Sequence, residues 1–366
     1  MTEHAPRAPL AAERRAHVLA ALGREGVVRV ADLVAELGVT PVTIRRDIAN
    51  IEAEGLLHRV HGGAVVRMEG EEGVRDGGRP SPTTSVGVLV PSLDYYWPGV
   101  VRGVEAAAAA QGLRTQLRGS SYEAADERPA VRRLVETDGV RGLLLAPNTD
   151  SPHAQDLLQW LATSGVPSVL VEREGSLAPH REALESVTTD HALGALMAVH
   201  HLADLGHRRV GLVLSRQSPT SRKIAAGWRR ACAQLELAAN EHFERTIPDR
   251  RQPDFSDIVD SVLETALSSG TTALLVHSDP DAMAFVQHAQ DRGVSVPGDL
   301  SVVAYDDEVA RLYSPALTAV SPPRAAVGHA AVDLLVKRLA DPTRPVHRVV
   351  LSPQLVVRES TAPAHR

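Results

Sequence analysis

The amino-acid sequence predicts an α/β protein: a small N-terminal domain of helices closed by a hairpin, then a larger core of parallel sheets covered by helices. Three observations carry that prediction. From Ser85 onward, short apolar runs alternate with amphipathic stretches of helical period. Upstream, two apolar-faced helical segments flank Gly38, the arrangement of a helix-turn-helix. Between these regions, residues 67–84 hold Glu69-Gly70-Glu71-Glu72-Gly73, Asp76-Gly77-Gly78 and Pro80-Ser81-Pro82 without apolar periodicity, which marks a flexible linker.

In the first domain, Arg14–Leu22 is predicted helical, with Val18, Leu19 and Leu22 on one side and Gly23 and Gly26 to stop it. Val27–Val30 reads as a short strand, and Ala31–Leu37 as a second helix ended by Gly38. Thr40-Pro41 opens a third. The Thr40 hydroxyl can accept from a free backbone N–H, and Pro41 at the first helical position loses no hydrogen bond. Ile44, Ile48 and Ile51 recur at i, i+4 and i+7, so one face is buried and Thr43, Arg45 and Arg46 lie off it. Two adjacent guanidinium groups suit phosphate oxygens and guanine edges. Leu56–Val60 and Ala64–Val66 flank His61-Gly62-Gly63 as a hairpin, with glycines where positive φ is needed. A hairpin after such a helix is a wing, and Arg59 and His61 near its tip are placed to reach the DNA backbone or the neighbouring groove.

In the core, strands are predicted at Val86–Val90, Gly142–Ala146, Ser168–Val171, Val210–Leu214, Ala273–Val276 and Leu300–Ala304. Helices are predicted at Pro98–Gln111, Asp156–Ser164, Asp190–Leu205, Ser221–Leu237, Asp257–Ser268 and Asp281–Arg292. Ligands of such folds bind at the carboxyl ends of strands. Those ends carry Asp94, Glu172-Arg173, Ser278-Asp279 and Asp306-Asp307, and Tyr95, Tyr96 and Trp97 follow the first of them. Carboxylates accept hydrogen bonds from a polyol, and aromatic rings cover its C–H face. For Asp190 and Asp279, each just before a helix, capping is the alternative role.

The totals limit the function classes. The formal charge is −6, and residues 1–68 hold 9 basic against 8 acidic residues, so DNA contact has to come from a local face. The one cysteine, Cys232, excludes an internal disulfide and a cysteine-based zinc cluster, and reads as a small core residue. His200, His201 and His207 read as structural, and neither metal nor cofactor is expected. The first ten residues lack an apolar signal region and no long apolar run follows, so a cytoplasmic protein without membrane contact is expected.

Residues 13–66 resemble the DeoR family of bacterial repressors. The matching stretches are Glu13-Arg14-Arg15, Val30-Ala31-Asp32-Leu33, Leu37-Gly38-Val39-Thr40, Thr43-Ile44-Arg45-Arg46-Asp47, Glu54-Gly55-Leu56-Leu57 and Arg59-Val60-His61-Gly62-Gly63-Ala64. The resemblance implies a winged helix-turn-helix in which Thr40, Thr43, Arg45 and Arg46 contact DNA and Arg15 holds a phosphate. Residues 84–361 resemble the LacI/GalR family, whose core is similar to periplasmic sugar-binding proteins. This resemblance rests on Val86–Pro91, Thr189-Asp190, His201–Gly211, Gly227-Trp228, Val296–Val303, Tyr305-Asp306-Asp307, Pro315–Thr318 and Leu355–Thr361. It implies two α/β subdomains around a cleft with crossovers near 188, 321 and 350, a homodimer or tetramer, and a small effector, usually a sugar or nucleoside-like molecule. Carried over residue by residue, Tyr96 and Trp97 match aromatic cleft positions. Glu172 matches an acid at a strand end, Ser278 a position often Asn, and Asp306 the ligand-binding aspartate.

The chain also departs from that family. Ile224 stands where an arginine usually clamps the ligand, and Arg222, two residues earlier, is the candidate to replace it. The family's own helix-turn-helix is exchanged for the DeoR-type module, and no short hinge helix is visible in 67–84. The expectation is a DNA-binding domain at 1–66, a linker at 67–84 and an effector-binding core at 85–361. Together they would form a transcriptional repressor of double-stranded operator DNA controlled by a sugar-like effector. Two other classes compete with it: a sugar-binding protein, which leaves the first domain unexplained, and a sugar-phosphate-processing enzyme, for which no phosphate loop, metal spacing or Ser/His/Asp set is found.

Overall fold

The computed structural model describes residues 11–25, 27–53, 57–60, 63–66, 84–216, 218–237 and 243–364. His61 and the predicted linker, Thr84 excepted, lie outside the described residues, as do the side chains of Arg45 and Arg59. The chain divides into two compact units, residues 1–81 and 82–366.

The first unit runs α1 (Ala11–Glu25), β1 (Val27–Arg29), α2 (Val30–Leu37), α3 (Pro41–Ala53), β2 (Leu57–Val60) and β3 (Gly63–Val66). The strands form an antiparallel sheet in the order β1-β3-β2. Val18, Leu22, Val28, Leu33, Ile44, Ile48 and Ile51 make one core, each at most 5% exposed. Ile44, Ile48 and Ile51 are the face that the sequence periodicity singles out. Gly23 does not stop α1, which continues to Glu25. A glycine inside a helix costs about 1 kcal/mol, and the packing of that helix offsets it. Gly38 does end α2: its φ is 63° and its N–H donates to the Val34 carbonyl at 3.0 Å.

The second unit begins with β4 (Ser85–Val90), α4 (Trp97–Ala110), β5 (Arg114–Gly119), α5 (Arg128–Glu136), β6 (Gly142–Leu145), α6 (Ala154–Thr163) and β7 (Ser168–Val171). A two-stranded hairpin, β8 (Ser176–Leu177) and β9 (Glu182–Ala183), and then β10 (Ser186–Thr189) follow. Next come α7 (His191–Asp204), β11 (Val210–Ser215), α8 (Ser221–Gln234), β12 (Glu244–Ile247), α9 (Phe255–Ser268), β13 (Ala273–Val276), α10 (Asp279–Asp291) and β14 (Ser301–Tyr305). The chain ends through β15 (Thr318–Ser321), α11 (Arg324–Ala340), β16 (Arg348–Leu351) and β17 (Gln354–Val356).

Two six-stranded sheets result, β16-β10-β7-β6-β4-β5 and β12-β11-β13-β14-β15-β17. Every pairing in them is parallel except β15 with β17. Each sheet is the centre of one lobe. The chain passes between lobes three times: from β10 to α7, from β15 to α11, and from β16 to β17. Helices cover both faces, so β6 and β13 are buried at every residue and read as unbroken apolar runs. Gly227 explains half of the Gly227-Trp228 pair, because a Cβ there would lie 2.1 Å from the Ala192 carbonyl oxygen; the missing side chain lets α8 press on α7. Trp228 is 1% exposed in the same core.

The histidines of the His201–Gly211 stretch have structural partners. His207 lies 2.8 Å from Thr272 Oγ1 and 3.0 Å from the Ala362 carbonyl, and His201 Nε2 lies 3.0 Å from Thr361 Oγ1. Both hold the C-terminal segment to the second lobe. Cys232 is buried in α8, where burial pushes its thiol up to about 12. No cluster among the described residues could hold a metal ion.

Candidate functional site

The first turn of α3 presents the DNA-reading candidates. Thr40 caps it, its Oγ1 accepting from the Thr43 N–H at 3.3 Å, and the two hydroxyls are 2.9 Å apart. Arg46 is exposed, Thr43 half-buried, and Val42 is 71% exposed beside them. Arg14 of α1 donates from Nε and Nη2 to both carboxylate oxygens of Asp47, at 2.6 and 3.1 Å. This bidentate pair ties α1 to the middle of α3 and fixes the angle at which the helix is presented. Arg15 is half-buried on α1. The Arg14–Asp47 pairing, 33 residues apart, leaves no local signal in the sequence.

In the second unit a cleft of about 590 Å³ opens between the lobes. Its walls are the loops after the parallel strands, as the strand-end rule requires. From the first lobe come Tyr95, Tyr96 and Trp97 after β4, Tyr122 after β5, and Glu172 and Arg173 after β7. From the second come Ser215 and Arg216 at the end of β11, Arg250 and Arg251 after β12, His277 and Ser278 after β13, and Asp306 after β14. Tyr96 and Trp97 meet edge to face with centroids 5.7 Å apart, and the Trp97 indole N–H donates to the Tyr122 hydroxyl at 2.7 Å.

Glu172 is heavily engaged. It accepts from the Tyr96 hydroxyl at 2.6 Å, the Thr189 hydroxyl at 2.7 Å and the Thr189 N–H at 3.0 Å, and His191 Nε2 is 3.5 Å away. Burial opposes its charge, but His191, Thr189 and Tyr96 overcome that and hold the carboxyl at about 2. Because Thr189 and His191 border the first crossing, this network ties the cleft to the hinge. Asp306 is the opposite case. Burial pushes its carboxyl up to about 6 against the pull of His191 and Arg324. Burial pushes the His277 imidazole down to about 4. Asp306 is 6% exposed at the cleft surface, with His277 Nε2 3.9 Å from its Oδ2.

Tyr96, Trp97, Glu172, Ser278 and Asp306 thus line one cavity. Asp94 does not: it is exposed on the turn after β4, with its N–H turned back to Ser92 Oγ at 3.0 Å, and the following Tyr95 takes the place in the wall. Arg222 also lies outside this lining. It is exposed in the first turn of α8 and reaches Asp150 of the other lobe at 3.3 Å, beside a smaller opening that adjoins the cleft. Ile224 is fully buried in the core of its lobe, so that helix face cannot offer a side chain to the cleft.

The two capping aspartates divide. Asp190 caps α7 through the Leu193 N–H at 2.9 Å. Ser278 caps α10, and its N–H donates to Asp281 Oδ2 at 3.4 Å. Asp279 instead turns inward and accepts from the N–H groups of Asp307, Glu308, Val309 and Ala310 at 3.1, 2.6, 2.9 and 3.2 Å, which fixes the loop that carries Asp306. Its own N–H donates to Tyr95 Oη of the first lobe at 3.2 Å. Arg216 and His277 are not among the sequence candidates, although both lie just past predicted strands. Arg250 escaped the strand-end rule because β12 was not recognised.

The two candidate sites are therefore an arginine-bearing helix start on one unit and a two-lobed strand-end cleft on the other. Comparison with known proteins gives the family. Residues 14–69 match the DeoR-like helix-turn-helix domain, and residues 199–361 the periplasmic binding protein-like domain. The chain is 33% identical over 357 residues to an uncharacterized HTH-type transcriptional regulator in the aml 5' region of Streptomyces limosus, covering 93% of this chain and 96% of that protein. It is 30% identical over 347 residues to the HTH-type transcriptional regulator MalR of Streptomyces coelicolor, covering 92% and 97%. A LacI family transcriptional regulator from Enterococcus faecium, solved with bound ribose, shares the fold at a TM-score of 0.62 and 24% identity, over 77% of this chain and 100% of that one. The chain belongs to the HTH-type transcriptional regulators, with a DeoR-like helix-turn-helix domain at its N-terminus and a core that shares the fold of LacI family regulators. Its relatives and its helix-turn-helix domain make it a DNA-binding transcriptional regulator.

Proposed function

We propose that this chain represses transcription from an operator that it reads with Thr40, Thr43, Arg45 and Arg46, while Arg15, Arg59 and His61 hold backbone or groove. A sugar-like effector in the cleft switches it, held by Tyr96, Trp97, Glu172, Ser278 and Asp306. The observation that carries this reading is the cleft itself: an aromatic wall faces a buried carboxyl, Asp306, that lines the cavity within one chain that also bears the exposed Arg46. Such a wall covers the C–H face of a sugar ring while carboxyl oxygens accept from its hydroxyls. Ribose bound in the Enterococcus faecium relative supports the same ligand class.

The reading includes a homodimer, whose two reading heads meet a roughly palindromic site on linkers at 67–84. It also places the protein in the cytoplasm, and no described helix is long and apolar enough to cross a membrane. Effector then acts by favouring one lobe arrangement over the other, which requires unequal affinity for the two states. The test has two arms: selection of a binding sequence from random duplex DNA with the full chain, and thermal melting against a sugar panel. Enrichment of one inverted-repeat sequence, with at least one sugar raising the melting temperature, is the expected result. Binding that follows DNA length and salt but not sequence would refute it.

A further inference from the structure

The groups that line the cleft differ in whether their hydrogen-bonding capacity is already used, and the difference is one-sided. Three of the four carboxylates accept short hydrogen bonds, and the fourth, Asp306, has the Tyr95 hydroxyl and His277 near it. Glu172 has Tyr96 and Thr189, Asp281 accepts from the Ser215 hydroxyl at 2.5 Å, and Asp249 accepts from the Arg251 N–H at 2.9 Å. Of the four arginines, Arg173 is buried, donating to the carbonyls of Pro147 and Glu172 at 3.1 and 2.8 Å with its guanidinium 5.6 Å from the Trp97 ring centre. Arg251 lies 3.7 Å from Asp249. Arg216 and Arg250 have neither an ion pair nor a side-chain hydrogen bond among the described residues. Elsewhere in the same lobe, arginines that reach a carboxylate take it: Arg229 with Glu244, Arg292 with Asp260, and Arg358 with Asp307.

The sheet brings the strand ends that carry these two cations together. Parallel pairing of β11 with β12 sets Ser215 opposite Ile247, and the Arg216 N–H donates to the Ile247 carbonyl at 3.0 Å. Arg216 and Arg250 therefore leave adjacent strand ends and line the same cavity. Their charge is screened by solvent at the mouth; Arg250 is near enough to Asp281 to favour that carboxylate's charge, but neither guanidinium has a protein acceptor at hydrogen-bond distance among the described residues.

We propose that the effector carries an anionic group, a carboxylate or a phosphate, seated on Arg216 and Arg250, while its hydroxyl-bearing end faces Asp306 and the aromatic wall. This rests on the reading that the cleft holds a small polyol. A planar guanidinium pairs bidentately with either anion, and two of them from neighbouring strands converge on one tetrahedral or planar acceptor.

The test is thermal melting of the full chain with matched pools of pentoses and hexoses. One pool holds neutral sugars, one their monophosphates, and one their aldonic and uronic acids; inorganic phosphate alone is the ion control. The expected result is a rise with the monophosphate or the acid pool but not with the neutral pool, and the pool that acts identifies the anion. Arg216→Gln/Arg250→Gln, at two exposed positions, leaves the unliganded melting temperature unchanged and weakens binding of the active compound by about tenfold or more per arginine. A neutral pool that stabilises as strongly, or a double variant that binds as tightly as the native chain, overturns the anionic subsite and leaves the sugar cleft standing. A rise with inorganic phosphate equal to that of the active pool means an adventitious ion only, and also overturns it. If no pool acts, both the subsite and the sugar cleft fall.

Discussion

Asp306→Asn replaces a buried carboxyl with a neutral group of the same shape, and its effect on stability follows from the site. Burial holds Asp306 at about 6 against an ordinary value of 3.8. One pKa unit is about 1.4 kcal/mol, so keeping the charge in place costs the folded core about 3 kcal/mol above pH 6. The group binds its proton more tightly folded than unfolded. Its stabilising contribution is present below pH 3.8 and is lost as pH rises through 6. The asparagine variant has no such loss. It should melt roughly 6 °C above the native chain at pH 8, at about 2 °C per kcal/mol for a domain of this size. The gap should close as pH falls toward 4. Glu172 and His277 titrate in both proteins and largely cancel in the difference. Asp279 is pushed to about 6 by burial and by the Asp306 charge, so its relief adds in the same direction. Differential scanning fluorimetry across pH 4–8 reads the gap. A variant that melts at or below the native temperature at pH 8, or a gap that does not change with pH, would refute the reasoning.

Three further outcomes follow from the geometry. Arg46→Ala should abolish preference for the selected operator and reduce the salt dependence of binding while far-UV circular dichroism is unchanged; native affinity would remove Arg46 from the contact set. Thr40→Ala removes the cap on α3 and should cost about 1 kcal/mol, with weaker operator binding that Thr40→Ser restores. Gly227→Ala forces α7 and α8 apart, because its Cβ meets the Ala192 carbonyl, and should cost about 1–3 kcal/mol in urea unfolding; an unchanged midpoint would contradict the close approach.

The parts of the fold that were legible in the sequence were those with a strong period or a terminal signal. Ile44, Ile48 and Ile51 marked the buried face of α3, and Thr40-Pro41 marked its start. β6, β7 and β13 stood out as continuous apolar runs because both faces are covered. β5 was missed because it is an edge strand, Arg-Thr-Gln-Leu-Arg-Gly, largely exposed and without alternation. β12 was missed because Glu244 and Arg245 point to solvent and pair with Arg229 and the local backbone. α11 carries a helical pattern in Val327, Ala331, Leu334 and Leu335.

The site divides in the same way. Glu172 and Asp306 lie at strand ends and were visible from that rule alone. Asp279 as a loop clamp was not, because its four donors lie at positions 307–310, brought close only by the sheet. Asp94 was assigned to the cleft because it follows β4, but the chain turns there and hands the position to Tyr95. Arg222, two residues before Ile224, is exposed and pairs with Asp150, whereas the arginines that line the cleft after β11 and β12 are Arg216, Arg250 and Arg251.

The claim that cleft and reading head form one switch is tested most directly by operator affinity, measured by fluorescence anisotropy with and without a saturating amount of the compound that raises the melting temperature. In the native chain the compound should change operator affinity by about tenfold, a coupling of about 1.4 kcal/mol, and operator should change affinity for the compound by the same factor. Asp306→Asn should bind operator normally and show no response. Equal operator affinity with and without saturating compound in the native chain would contradict the account.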